Sequence, residues 1–198
     1  MEWFEPIFFP SAAVGDPRLK PRHLSLLAAL HYFARRYIYF DLQIPNRDLM
    51  VLARIGDHET LYRYRLDLDR IGYLSFFQWR GFATEYELKM GDLGVPAGLL
   101  ADQRLTSPGT IALYVALTAL ATGTRSPDDM YGTHVQISNP FLQEAARFSG
   151  PAQLRRYSTE LTDVNVMGVT RNRNKPHTYE LTLNQGANQQ LLAVAATL

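Results

Sequence analysis

The segment of the 198-residue chain that is most suited to ligand chemistry is a short run that contains cations and no carboxylate. This basic run spans residues 170–177 and places Arg171, Arg173 and Lys175 between polar side chains. Guanidinium and ammonium groups bind phosphate oxygens, and a basic loop of this kind can follow a phosphate backbone or enter a minor groove. A merely solvated surface turn is the alternative interpretation.

A second set of candidate binding residues lies in two predicted helices, within 58–66 and 153–156. Arginine binds guanine edges or phosphates through its planar fork, and tyrosine and threonine hydroxyls bind phosphates. The alternative is structural, because Arg63 and Arg156 each stand four residues before an acidic residue, which is the spacing of helical ion pairs. Besides the basic run, we expect contacts to double-stranded DNA from His58, Thr60, Tyr62, Arg63, Arg65, Arg80, Gln153, Arg155 and Arg156.

Aromatic residues concentrate in two other segments, the aromatic run 76–82 and the leader 3–10. Such clusters usually pack against protein, either between parts of one chain or between subunits, and a homodimer is one assembly that they would support. Stacking on bases or wedging into a base step is the alternative for the aromatic run. We therefore expect protein contacts from Trp3, Phe4, Phe8, Phe9, Phe77, Trp79 and Phe82.

The sequence contains no combination of residues that is typical of catalysis. It has no cysteine, which excludes thiolate nucleophiles and cysteine-ligated zinc, and its histidines are scattered. It also lacks a phosphate-binding glycine loop, a nucleophile elbow and an ATP-binding motif. We therefore expect a protein that is not an enzyme and that uses neither a metal nor a cofactor.

The elements that position these residues occur twice, because the chain contains an internal repeat. Residues 43–68 align with residues 136–161 at a constant offset of 93, with ten identities in 26 positions. Average composition would give about one or two identities by chance. Upstream, the segment that begins at Pro21 aligns with the segment that begins at Pro108 at an offset of 87. The extra residues of the second copy fall in the connection 122–134, where little packing is expected.

Each copy is predicted to contain a helix, a short strand, two more helices joined by a turn, and a hairpin. Proline suits the first helical position, so the first helices begin at Pro21 and Pro108. The second helices take their N-caps from Asn46 in one copy and from Ser138 or Asn139 in the other. The third helices carry one apolar stripe each and end at left-handed C-caps, Gly72 and Asn165.

This order of elements predicts an α+β, mainly helical fold with two tandem winged helix-turn-helix domains that arose from an internal duplication. The first domain, with its leader, spans 1–90, and a linker spans 91–107. The second domain spans 108–185, and the C-terminal tail spans 186–198, for which a helix is one interpretation.

One segment of the first copy carries a resemblance to a known family. The sequence from Thr60 to Leu74 opens with Thr-Leu, has a basic centre and runs into Gly72-Tyr73-Leu74. It resembles the recognition helix and first wing strand of winged-helix replication proteins, above all the N-terminal domain of DnaD-like replisome organisers. The resemblance implies DNA binding at an origin, or assembly of replication proteins there. DnaD-like proteins carry a different C-terminal domain, and two winged helices in one chain resemble plasmid and phage Rep-type initiators instead.

Charge and hydropathy favour a selective DNA-binding protein of the cytoplasm. The net charge is +1, with twelve basic and twelve acidic residues in 1–92 and eight basic and seven acidic residues in 93–198. That balance excludes a polybasic protein that coats any polyanion. The acidic N-terminus is unlike a signal peptide, and no apolar stretch approaches the ~18 residues of a membrane span.

The expected function is therefore DNA binding in replication initiation or replisome organisation of a phage, plasmid or prokaryotic chromosome. A helicase or its loader is a further candidate partner. A transcription regulator of the same fold is one alternative. A winged-helix module that binds other proteins within a replication or chromosome-organising complex is the other.

Overall fold

The two halves of the chain repeat the same order of secondary-structure elements in the computed structural model, which describes residues 6–35, 42–79, 82–121, 133–173 and 175–184. We call residues 6–88 the N-terminal half and residues 93–184 the C-terminal half. The N-terminal half contains β1 (Pro6–Phe9), α1 (Ala12–Gly15), α2 (Pro21–Ala34), β2 (Leu42–Ile44), α3 (Asn46–Ala53), α4 (His58–Ile71), β3 (Leu74–Phe77) and β4 (Thr84–Leu88). The C-terminal half contains β5 (Leu93–Pro96), α5 (Gly98–Ala101), α6 (Pro108–Ala121), β6 (His134–Ile137), α7 (Asn139–Ala145), α8 (Pro151–Asp163), β7 (Gly168–Thr170) and β8 (His177–Glu180).

The fold is α+β, and its small sheets are antiparallel. Each half has a three-stranded sheet with its last strand in the centre, in the orders β2-β4-β3 and β6-β8-β7. A third sheet joins the halves, because β1 pairs with β5 and places Ile7 opposite Val95 and Phe9 opposite Leu93. Equivalent strands of the two halves thus pair with each other, which is the arrangement of a local twofold axis.

The core lies along the packed helices α2 and α6 and is continuous through both halves. Most residues of α6 are buried, including Leu113, Tyr114 and Leu117, so this helix has no polar face of its own. A helix that is apolar all round must be covered on all sides, and α2 supplies part of that cover. Among the described helices, none is long and apolar enough to cross a membrane.

Several predicted helix boundaries are confirmed, and the predicted side-chain N-caps of α3 and α7 are absent. Helices α2 and α6 begin at the two prolines, and Gly72 and Asn165 adopt the left-handed conformation with φ of 87° and 59°. The predicted N-cap Asn46 was wrong, because Pro45 is the N-cap residue of α3, whereas Ser138 is the N-cap residue of α7 but makes no side-chain cap hydrogen bond. Instead, Asp57 caps α4 by accepting the Thr60 backbone N–H at 2.7 Å.

Residues 91–107, which were predicted to be a linker, contain β5 and α5 and are largely buried. The repeat therefore begins earlier than Pro21. Its signal is the motif Asp16-x-Arg18-Leu19, which recurs as Asp102-x-Arg104-Leu105 at an offset of 86. In both motifs the arginine Nε donates to its aspartate at 2.9 Å, and the arginine backbone N–H donates to the same carboxylate at 3.0 Å.

The repeated pair Arg54 and Arg147 holds the halves together. Arg54 follows α3 and Arg147 follows α7, and both adopt the left-handed conformation, with φ of 57° and 60°. The Arg54 guanidinium crosses to the C-terminal half and donates to the carbonyl of Leu100 at 3.1 Å. Arg147 crosses in the opposite direction and donates to the carbonyl of Val14 at 3.2 Å, the equivalent position of the other half. Arg54 makes further hydrogen bonds to the carbonyls of Asp102 and Leu105.

Replacing Arg54 should destabilise the fold more than the matched change at Arg147. Arg54→Gly keeps a residue that tolerates a φ of 57° but removes the donors to three carbonyls of the other half. We expect the free energy of unfolding in urea to fall by about 2–3 kcal/mol, because buried carbonyls lose their donors. Arg147→Gly removes a single such bond to Val14 and should cost less. Equal losses in the two variants would contradict the assigned role of Arg54.

His31 should make the stability depend on pH. It is buried in α2 near the Phe9 ring, and its Nε2 atom has no hydrogen-bond partner in the described structure. Burial lowers the pKa of His31 to about 4. The unfolded chain takes up this proton below about pH 6.5 and the folded chain does not, so stability is present above that pH and is lost as the pH falls toward 4.

The loss attributable to His31 should approach about 3 kcal/mol, since each pKa unit of difference corresponds to about 1.4 kcal/mol. Chemical denaturation between pH 7 and pH 4 measures it, and His31→Leu is the comparison variant. The variant should lose less stability than the wild type over this interval. Parallel pH profiles for the two proteins would rule out His31 as the cause.

Candidate nucleic-acid interface

The start of α8 presents two arginines to solvent. Leu154 and Leu161 are buried on the inner face of this helix, so Arg155 and Arg156 lie on its exposed face. Gln153 is half-buried, and its Oε1 atom accepts the backbone N–H of Ser149 at 2.9 Å and the hydroxyl of Ser149 at 3.1 Å. Gln153 therefore secures the first turn of α8, while the two arginines are available to a partner.

The described residues of the basic run between the strands, 171–173 and 175–176, lie between β7 and β8 in the chain. Asn172 closes this connection, because its side chain donates to the Pro176 carbonyl at 2.8 Å and its backbone N–H donates to His177 Nδ1 at 3.2 Å. Arg171, Arg173 and Lys175 are exposed. Within the described residues, no carboxylate forms an ion pair with them or with the arginines of α8.

The structural alternative for Arg63 and Arg156 is not realised. In the described structure neither arginine forms an ion pair, and each lies instead near the ring of the tyrosine that follows it, at 5.5 and 5.8 Å. The carboxylates four residues on are used elsewhere. Asp67 accepts from His23 Nε2 at 3.2 Å, and Glu160 accepts from the Thr110 hydroxyl at 2.6 Å. Both arginines are exposed and remain candidates for DNA contact.

Arg65 was predicted to contact DNA, and its burial contradicts that prediction. Its exposed fraction is 1%, its Nη2 donates to Asn46 Oδ1 at 2.6 Å, and its guanidinium lies 5.1 Å from the centre of the Tyr86 ring. Burial raises the pKa of Tyr86 to about 12, so the phenol stays protonated beside the cation. In the C-terminal half Ser158 stands at the position of Arg65, and Tyr179 donates directly to Asn139 at 3.1 Å.

The other predicted contact residues of α4 differ in their availability. His58 and Tyr62 are exposed, and Tyr62 also packs edge-on against Phe76 with ring centres 6.1 Å apart. Thr60 is half-buried, and its backbone N–H is taken by Asp57. Arg80 lies outside the described residues.

The described residues of the aromatic run, which we predicted as a protein contact, expose large apolar side chains. Trp79 is 66% and Phe82 is 76% exposed, and Phe77 and Phe8 are also more than half exposed. Phe9 differs, since it is fully buried in the core and therefore cannot contact another chain. Trp3 and Phe4 lie outside the described residues.

A cleft lies between the halves. Its walls are the start of α2 and part of α4 on one side, and the start of α6 and part of α8 on the other. Its volume is about 470 Å³. Residues of both halves line it: Lys20, Pro21, Arg22, Tyr64, Thr106, Ser107, Pro108, Gly109, Gln153, Arg156 and Tyr157. Only glycine fits at position 109, because a Cβ there would lie 2.3 Å from the Tyr157 ring.

The hydrogen bonds around this cleft show which groups are already occupied. His23 Nδ1 accepts the Lys20 backbone N–H at 2.8 Å, so the proton of this ring lies on Nε2, which faces Asp67. Burial is the main reason that the pKa of His23 lies below its usual value. Glu160 accepts the backbone N–H groups of Thr106 and Ser107 at 2.6 and 3.2 Å.

Lys20 and Arg22 were not among the predicted contact residues. A sequence signal was present, since both cations stand beside Pro21 at a helix start, where a positive charge opposes the helix dipole. The described residues include no group of three or more His, Asp or Glu side chains placed to hold a metal ion.

The chain has no match in the comparisons with known proteins: no family model matches it, and no curated protein or solved structure is significantly similar to it.

Proposed function

We propose that the protein is a non-enzymatic DNA-binding protein that contacts double-stranded DNA through two tandem winged helices. Each half contains a helix pair followed by a hairpin, and the strand before the pair joins the hairpin in one sheet. This order supports a winged helix-turn-helix, whose second helix enters the major groove. On this interpretation α4 and α8 are the recognition helices, and the basic run is the tip of the second wing.

The observation that carries the proposal is the set of exposed, unpaired cations in the C-terminal half. Arg155 and Arg156 lie on the first turns of α8, and the basic run adds three more cations without an ion-pair partner in the described structure. Cations that are free in the protein release the counterions of DNA when they bind its phosphates. The balanced net charge of +1 suits local rather than general attraction.

The C-terminal half should be the main source of affinity for random duplex DNA. Arg155→Ala combined with Arg156→Ala should weaken binding to a duplex of about 30 bp by about 8-fold per lost phosphate contact at 0.1 M salt, because each contact contributes about 0.9 to the salt slope. Replacing Arg171, Arg173 and Lys175 together with alanine should lower that slope by up to about 3. Fluorescence anisotropy over a salt series measures both effects.

Arg70→Ala is the matched control, because Arg70 is an exposed arginine in the last turn of α4 and belongs neither to α8 nor to the basic run. It should leave affinity and salt slope close to those of the wild type. If both multiple variants bind like this control, the assigned interface is wrong.

The narrower proposal is a role in replication initiation or replisome organisation, and it is supported by the resemblance of residues 60–74 to replication proteins. Transcription regulation by the same fold is the competing role. Footprinting on the DNA of the source replicon separates them. Repeated protected sites at an origin are the expected result, whereas protection that overlaps promoters would favour regulation.

The exposed aromatic run favours a second candidate function, in which the N-terminal half binds protein. Trp79 and Phe82 are mostly exposed, and the equivalent turn of the C-terminal half is basic instead. Exposed aromatic clusters are typical of protein interfaces. An absence of duplex binding by the wild type at about 0.15 M salt would favour this interaction module over the DNA-binding function.

A further inference from the structure

We propose that the cleft between the two halves binds a phosphate group of the DNA backbone, so that one continuous duplex is held across both halves. This inference rests on the proposed function and deepens it, because it names a contact at the junction of the halves. The contact does not involve the basic run, and the N-terminal half contributes residues to it.

Three cations line the cleft: Lys20 and Arg22 beside the start of α2, and Arg156 on α8. All three are exposed, and within the described structure none forms an ion pair with a carboxylate. Lys20 and Arg22 lie where the helix dipole disfavours positive charge. A bound anion would compensate them, and no carboxylate among the described residues does so at ion-pairing distance.

The charged groups around the cleft leave these cations available. Three backbone N–H groups beside the helix starts are already occupied, because that of Lys20 donates to His23 and those of Thr106 and Ser107 donate to Glu160. The pKa of Asp57 is lowered chiefly by the hydrogen bond from the Thr60 backbone N–H, and the Coulombic attraction of Arg63 and Arg22 adds less to this shift. The side chains of Lys20, Arg22 and Arg156 are therefore the groups that would hold an anion.

The position of the cleft favours a backbone phosphate over a free small molecule. Tyr64 brings α4 to its wall, and Gln153 and Tyr157 bring α8 to it. A duplex that contacts both helices would lie close to the opening between them. The volume of about 470 Å³ also lies in the range of small-molecule pockets. A free phosphate compound is therefore the alternative ligand of the cleft, and the experiments below distinguish it from a phosphate of the DNA backbone.

The test uses Lys20→Ala combined with Arg22→Ala in the full chain. These residues lie outside α8 and the basic run, so the main DNA contacts of the proposed function stay intact. We expect binding of a duplex of about 30 bp to weaken by about 8-fold at 0.1 M salt per lost phosphate contact, and the salt slope to fall by about 0.9 for each. The melting temperature should not fall, because the lost charges opposed the dipole of α2.

The control is again Arg70→Ala, which removes one exposed arginine far from the cleft lining. If the wild type binds DNA and the double variant behaves like this control, the cleft inference is overturned while the proposed function stands. If the wild type does not bind DNA, both are overturned.

A second variant probes the cleft without removing a cation. Gln153→Glu keeps an Oε1 acceptor for Ser149 and adds a negative charge to the lining. It should weaken duplex binding, and the loss should combine less than additively with that of the Lys20 and Arg22 changes, because all three positions serve one site. Fully additive losses would contradict a shared site.

Inorganic pyrophosphate is the probe for the free-ligand source. Calorimetric titration of the wild type, without DNA, should show binding no tighter than the millimolar range that isolated phosphate contacts give. Micromolar binding that is lost in the Lys20 and Arg22 variant, together with unchanged duplex affinity in that variant, would assign the cleft to a free phosphate compound and overturn the backbone assignment.

Discussion

The packing of α2 against α6 is the interaction on which the rest of the structure depends. Because α6 is buried on almost every side, neither half can complete a core without the other. The β1–β5 pair and the crossed hydrogen bonds of Arg54 and Arg147 act at the same junction. The halves therefore share one core, and α4 and α8 line the two sides of one cleft.

Within this shared frame the two halves differ at positions that the sequence alignment makes equivalent. His23 contacts Asp67 in the N-terminal half, and Thr110 contacts Glu160 at the equivalent place in the C-terminal half. A different polar pair therefore connects α2 to α4 than connects α6 to α8. Arg22 corresponds to Gly109, whose missing side chain leaves room for Tyr157. The surfaces of the shared frame can then serve different partners, with aromatic residues at one hairpin and cations at the other.

The local elements were predictable, because their signals lie within a few residues of each other. Prolines at helix starts and left-handed caps at Gly72 and Asn165 report backbone conformations that few other residues favour. The N-cap at Asn46 was not, because an asparagine can satisfy its side chain in several ways. Asn46 instead accepts hydrogen bonds from Arg65 and Thr84, partners that stand far away in the sequence.

The sequence by itself showed that two segments resemble each other, that helices begin at Pro21 and Pro108, and that the basic run carries unbalanced charge. Only the tertiary structure decided which arginines are available to a ligand. Arg63 and Arg65 are two residues apart in one helix, yet one is exposed and the other is 1% exposed beneath Tyr86. Burial depends on neighbours from β4 and α3, which no local pattern specifies. The cleft was likewise invisible in the sequence, because it exists only where the starts of helices from both halves meet.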